Sequence, residues 1–275
     1  KLSIVKILVY LSILLTSLTI LNIKIITEEG FKSRFEYLKK INQNYNPDNI
    51  FLNKVRMKNS QQNLNDFNEK NFNIIIAGDS HGSDLYNSLN LNRDSFGDKK
   101  FYFIGDILTN EVNTIFKNEE LLRQANIVVV SYRWNDNNFE LFKKSFDKIK
   151  YLNQKIFVTS RTNEYKVFSK LYTLLDYELL FNNKNLDYFG FKKLYFENRV
   201  ISSSSIINQK LKKFAYKNNL IYLNKEDYMC NIFKKECDYV DKDGYKIFYD
   251  YGHYTEHGAR YFGKKIYEIN WLKIN

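Results

Sequence analysis

A chain of 275 residues with 44% apolar and 17% aromatic side chains can bury a full core, which excludes disorder of the whole chain. The net charge of +11 raises nucleic acid as a partner. The lysines, however, are scattered as Lys-Lys pairs among Asn, Tyr and Phe, with no basic helix and no arginine stripe, so the charge reads as a solvated surface.

The first residue is Lys1, as in the tail of a longer reading frame. From Ile7 to Ile23 no charge appears and Ile, Leu and Val dominate, with Lys1, Lys6 and Lys24 outside the run. That length and those flanks fit a spanning helix at the short end of the range. A signal peptide would need a small-x-small cleavage site, and Asn22-Ile23-Lys24-Ile25-Ile26 follows instead. Residues 1–26 are therefore expected to be a transmembrane helix, the last of a membrane domain lying upstream. Residues 27–70 are polar, rich in Asn and Gln, and hold the only proline, Pro47; they read as a linker with helical stretches such as Phe31 to Lys40.

The folded domain is expected over 71–275. Apolar runs of strand length occur at Asn73 to Ala77, Phe101 to Ile104, Ile127 to Ser131, Lys155 to Thr159 and Leu220 to Leu223. Between them, Asn113 to Gln124, Asn137 to Leu152 and Ser205 to Lys217 space their apolar residues by three and four, as helices do. This alternation predicts parallel strands joined by helical crossovers, an α/β fold with a three-layer α/β/α sandwich and a central parallel sheet of flavodoxin-like type. Uninterrupted runs such as Ile127-Val128-Val129-Val130 suit strands covered on both faces. Glu164 to Val200, dense in Tyr, Phe, Leu and Lys, reads as a lid or an irregular helical excursion.

Cys230 and Cys237 are the only cysteines, with six residues between them. A zinc site would be short of ligands, so a small disulfide loop outside the cytoplasm is the expectation and two free thiols the alternative.

Ligands of open α/β sheets bind at the carboxyl ends of the strands, which directs attention to Gly78-Asp79-Ser80-His81 directly after the first run. The glycine permits a tight turn, and the start of the next helix offers unpaired N–H groups to a developing oxyanion. Such a block is also a common N-cap, so Ser80 needs a base. The three histidines are His81, His253 and His257. His253 follows Asp250 by three residues in a loop with Gly252, and Thr255 reads as the N-cap of a helix running to about Leu272. In that arrangement Asp250 would accept from the His253 Nδ1–H while Nε2 faces Ser80. His81 and His257 are expected to be packing or pocket residues. His253 and His257 are four apart, but a cap between them keeps them off one helical face, so no metal is expected.

Together these blocks resemble the SGNH (GDSL-like) hydrolase superfamily, with Gly-Asp-Ser near the start and Asp-x-x-His near the end. More specifically, the chain resembles the SGNH domain fused to the C-terminus of acyltransferase-3 family membrane O-acyltransferases. Gly30-Phe31-Lys32-Ser33-Arg34-Phe35 resembles that family's junction after a membrane helix. Arg133-Trp134 resembles its Arg-Trp block, and Cys230, Cys237, Asp243-Gly244 and Tyr249 to Ala259 resemble its terminal signature. The superfamily's third block supplies an Asn to the oxyanion hole, but here Ser131-Tyr132-Arg133-Trp134-Asn135 stands in its place. The hole is therefore expected from Arg133 or Asn135, or from backbone N–H groups of Ser80 and Gly105.

The resemblance implies a serine-nucleophile O-acyltransferase acting through Ser80, His253 and Asp250. Acyl-CoA, most simply acetyl-CoA, would be the ultimate donor through the upstream membrane domain, with no cofactor in this domain. A cell-envelope glycan such as lipopolysaccharide would be the acceptor, and the domain would face the periplasm from the bacterial inner membrane. The aromatic stretch Phe181 to Phe196 is the expected groove for the sugar. A membrane-anchored carbohydrate acetylesterase and a catalytically dead glycan-binding module are the alternatives.

Overall fold

A computed structural model describes residues 4–27, 67–108, 118–153, 155–166, 188–242 and 245–274. Helix α1 (Ile4–Thr27) is apolar along its length, and its window Ile4–Lys24 is long and apolar enough to cross a membrane, with none of it buried against the protein. The hydroxyls of Thr16, Ser17 and Thr19 donate to carbonyls four residues back, so these polar groups are satisfied within the helix itself.

The sheet is formed by β1 (Phe72–Gly78), β2 (Lys99–Phe103), β3 (Ile127–Ser131), β4 (Ile156–Thr159) and β5 (Ile221–Leu223), all parallel, in the order β2-β1-β3-β4-β5. Successive strand side chains point to opposite faces, which explains why the strands lack polar alternation: both faces are covered. Ile74, Ile76, Val129 and Phe157 meet α2 (Ser80–Asn90), α5 (Tyr188–Glu197) and α8 (Glu256–Glu268) through Leu85, Leu89, Phe191, Phe262 and Ile266. Ile75, Ala77, Val128, Val130 and Val158 meet α3 (Glu119–Gln124), α4 (Asp136–Leu152) and α6 (Ile201–Lys217) through Leu122, Phe142, Phe146, Ile149 and Leu211. The result is the expected three-layer sandwich.

The first and last helices of the sandwich lie against each other. Helix α8 packs on α2, and a Cβ at Gly263 would lie 2.0 Å from the Ser88 carbonyl oxygen, so glycine lets the two backbones approach. Thr255 caps α8 as expected, its Oγ1 accepting the Gly258 N–H at 2.9 Å. Beyond β5, the short α7 (Glu226–Met229) leads into a hairpin of β6 (Cys230–Asn231) and β7 (Glu236–Cys237), closed by a Cys230–Cys237 disulfide with S–S 2.00 Å.

Several sequence expectations lie wholly or partly outside the described residues: most of the 27–70 linker with its Gly30-to-Phe35 junction, the Asp243-Gly244 turn, and residues 181–187 of the Phe181-to-Phe196 stretch. Within Glu164 to Val200, the described part contains α5, whose Phe191 and Tyr195 are core residues.

Candidate active site

Strand order reverses around β1, which has β2 on one side and β3 on the other, so the crevice beyond the ends of β1 and β3 is the expected ligand site. At Gly78 a Cβ would stand 1.8 Å from the Ser131 carbonyl oxygen; only glycine lets the chain leave β1 this close to β3. Asp79 then caps α2. Its Oδ1 accepts the His81 N–H at 2.9 Å and its Oδ2 accepts the Arg133 N–H at 2.9 Å, tying the turn after β1 to the loop after β3. Ser80 is the first residue of α2, where backbone N–H groups have no intrahelical acceptor.

The Ser80 Oγ lies 3.4 Å from His253 Nε2, across 173 residues of sequence. On the other side of the ring, His253 Nδ1 lies 2.7 Å from Asp84 Oδ2, with Asp84 and His253 both buried. A carboxylate can only accept, so Nδ1 carries the proton and Nε2 is left as an acceptor facing the serine hydroxyl. The carboxylate against the ring is thus Asp84 and not the expected Asp250. Asp250 instead accepts the backbone N–H groups of Gly252 at 3.0 Å and His253 at 2.8 Å. Those two bonds form an Asx-type turn that shapes the loop, and the same oxygen serves both. Asp84 reaches the ring because it lies four residues after Ser80, on the same face of α2.

The expected side chains of an oxyanion hole are engaged elsewhere. Asn135 caps α4, accepting the Asn138 N–H at 2.9 Å within a reciprocal capping box. The Arg133 N–H is taken by Asp79, and its guanidinium grips both Glu164 oxygens at 3.0 and 2.8 Å while standing 4.6 Å from the Tyr251 ring centre. Trp134 is fully buried, donating to the Thr159 carbonyl at 2.8 Å. Gly105, with φ +74°, lies beside the turn, and its carbonyl accepts the Gly78 N–H at 2.9 Å.

Around His253 stands a network of charges, of which Glu164 and Lys225 are buried. Glu164 also receives Arg161, whose Nη1 reaches the Trp134 carbonyl at 3.0 Å, so one carboxylate joins the loops after β3 and β4. Burial works to raise the Glu164 carboxyl, and the two guanidiniums outweigh it and hold it below its ordinary range. His81 is buried against His253, ring centres 4.5 Å apart, and neither of its ring nitrogens has a hydrogen-bond partner among the described residues. Burial foremost, then the positive charge of Lys225 and those of Arg133 and Arg161, push it well below the ordinary histidine range, so the ring is neutral. Lys225 is buried with its Nζ 3.0 Å from Thr162 Oγ1; burial lowers it to about 8, against the attraction of Asp79 and Asp84.

His257 is remote from this centre, 2.7 Å from Asp241 and stacked on Tyr245. His81, Asp84 and His253 offer one donor atom each within 4.8 Å of one another, so they are the group a cation could address. A cation held through His253 Nδ1 would have to break the hydrogen bond to Asp84 that sets the tautomer.

Residues 51–268 match the family described as SGNH domain (fused to AT3 domains). The chain belongs to this family. No curated protein matches it in sequence. Among solved structures, it is similar to the periplasmic domain of a lipopolysaccharide acetyltransferase from Salmonella ser. Paratyphi A, at 19% identity and a TM-score of 0.57, covering 74% of this chain and 85% of that one. Weaker similarities are to an acetyl xylan esterase, at 12% identity and 0.42 over 72% of this chain and 98% of that one, and to a GDSL-like lipase from Bacteroides thetaiotaomicron, at 12% and 0.41 over 75% and 90%. This SGNH domain thus joins Ser80, His253 and Asp84 in one chain of polar contacts, with Ser80 and Asp84 on the same helix. Asp84 had a signal in the sequence, its spacing of four from Ser80. Glu164, Arg161 and Lys225 had none, since nothing local marks a charge as buried.

Proposed function

We propose that this SGNH domain transfers an acyl group, in the simplest case acetyl, to a hydroxyl of a cell-envelope polysaccharide through an acyl-Ser80 intermediate. The observation that carries the reading is the continuous Ser80–His253–Asp84 chain in a domain of the AT3-fused family. The similarity to a lipopolysaccharide acetyltransferase periplasmic domain supports a glycan acceptor on the periplasmic side, with an adjoining membrane acyltransferase domain supplying acyl groups that originate on acyl-CoA.

In the first half-reaction His253 Nε2 takes the Ser80 proton as Oγ attacks the acyl carbonyl carbon, then passes that proton to the departing donor group. The backbone N–H groups of Ser80 and Gly105 receive the developing oxyanion, the role for which Arg133 and Asn135 are already occupied. In the second half-reaction a sugar hydroxyl gives its proton to the same Nε2 and attacks the ester, and Ser80 recovers its proton as it leaves. Asp84 holds the ring in the accepting tautomer throughout and stabilises the transient imidazolium.

The test is an aryl acetate assay on the chain with and without an oligosaccharide acceptor, coupled to labelling by a serine-reactive phosphonate. Acceptor-dependent acylated sugar, abolished by Ser80→Ala, is the expected result. Acetate release with no acylated sugar would replace transfer by hydrolysis, and failure of the phosphonate to label Ser80 would remove the nucleophile itself.

A further inference from the structure

The disulfide hairpin carries an exposed apolar tip that the site does not use. Between Cys230 and Cys237 run Asn231-Ile232-Phe233-Lys234-Lys235-Glu236, and the Phe233 side chain is 100% exposed and Ile232 48% exposed. This is a built turn. Asn231 Oδ1 accepts the Lys234 N–H at 3.0 Å, the Lys235 N–H donates to the Ile232 carbonyl at 3.2 Å, and Lys235 sits at φ +55°. Antiparallel pairing of Cys230 with Cys237 and the disulfide close the base. A rigid loop therefore holds two large apolar side chains in water with two exposed lysines beside them.

Helix α5 packs against β7, fixed by Lys192, which lies 2.9 Å from Asp238 and 3.8 Å from Glu236. On that helix Phe189 is 57% exposed, and the exposed Lys193 follows one turn later. The same aromatic-plus-lysine pairing thus occurs next to the hairpin.

We infer that the Cys230–Cys237 hairpin is a membrane-surface anchor, with Ile232 and Phe233 entering the headgroup boundary of an anionic bilayer and Lys234 and Lys235 lying among the lipid phosphates. A protein partner is disfavoured by size, since a stable interface needs about 800 Å² on each side, far more than a two-residue tip provides. A lipid boundary accepts one or two apolar side chains, and lysines at its level gain from anionic headgroups. The chain itself carries α1, long and apolar enough to cross a bilayer, which keeps the domain within reach of that surface. The net charge of +11 has the complementary sign.

The test uses the full chain in lipid nanodiscs of phosphatidylethanolamine and phosphatidylglycerol, with Phe233→Trp as the reporter. Both native tryptophans, Trp134 and Trp271, are buried, so the difference from the wild-type spectrum reads position 233. Emission is expected to be blue-shifted, and roughly halved when the lipid acyl chains are brominated. Adding Lys234→Glu and Lys235→Glu should return it to the red-shifted, unquenched emission of Tyr216→Trp, an exposed position on α6. Ile232→Trp gives the same reading independently. Emission from both tip positions matching Tyr216→Trp overturns the anchor, and quenching that survives the charge reversal overturns the part assigned to the lysines.

Discussion

Four residues separate Ser80 from Asp84 on α2, so the proposed nucleophile and acid ride on one rigid element while the proposed base, His253, arrives on a loop from the far end of the chain. Asp84→Asn would place an amide against Nδ1 and allow the ring to be held with its proton on Nε2, which cannot accept from Ser80. A loss of about ten-thousand-fold in kcat is expected, with the fold intact. Asp250→Asn keeps an oxygen for the Gly252 and His253 N–H groups, so its loss should stay within about tenfold. Steady-state kinetics of the two variants decide the matter, and a larger loss at Asp250 would return the acid's role to it. Lys225 gives a second prediction. Its amine titrates at about 8 when folded against 10.5 as an ordinary lysine, so between those values the unfolded chain binds more protons and stability rises with pH; below pH 8 the burial penalty is fully present. Relative to Lys225→Met, wild type should therefore gain on the order of 3 kcal/mol in unfolding free energy from pH 8 to 10.5, read by urea titrations. A parallel pair of curves would show that this lysine does not titrate as described. At this scale Ser80 and His253 were legible because turn chemistry and scarcity of histidine singled them out. Two carboxylates were spaced to serve, however, and spacing alone does not say which one meets the ring.

The α2–α8 contact is where the two halves of the site are set against each other, and Gly263 is its closest point. A methyl there would meet the Ser88 carbonyl oxygen at 2.0 Å and the Asn92 side-chain amide at 2.1 Å, neither of which is the free end of a long chain. Gly263→Ala should cost about 1–3 kcal/mol by overpacking and also lower kcat below the melting transition, because the cap of α8, Thr255, lies two residues after His253. Thermal unfolding and activity at low temperature separate the two effects; a destabilised variant with unchanged kcat would show that α8 does not position the base. Element boundaries show which forces a single chain reveals. β3 runs over Ile127–Ser131 as its unbroken apolar run requires. β2 begins two residues before the apolar run, at Lys99, because pairing with Phe72 and Asn73 of β1 extends it, and pairing leaves no local trace. α6 begins at Ile201, ahead of the expected Ser205, since Ser202 to Ser205 carry no apolar periodicity. α5 was not separable from its surroundings, as its Tyr, Phe and Lys are spread round the helix with little amphipathic contrast.

Across the whole molecule, the disulfide and the apolar α1 together constrain which side of a membrane the domain occupies. A thiol pair stays oxidised on the extracytoplasmic side and is kept reduced in the cytoplasm. Closing so short a loop is worth about 2–3 kcal/mol, a sizeable share of a domain's net stability. The β6–β7 hairpin it closes is joined through α7 to β5 and through Asp238, whose N–H donates to the Met229 carbonyl at 2.9 Å, back onto the core. If the domain faces the periplasm, Cys230 and Cys237 in cells precipitated with acid and then denatured should resist a maleimide-polymer reagent until reductant is added, then take up two adducts. In cells lacking the periplasmic thiol oxidase both should react at once, and the level of folded protein should fall with them. Adducts formed without reductant in oxidase-competent cells would place the domain on the cytoplasmic side, and with it would go the reading of an envelope glycan as acceptor, since that hydroxyl could not then reach Ser80.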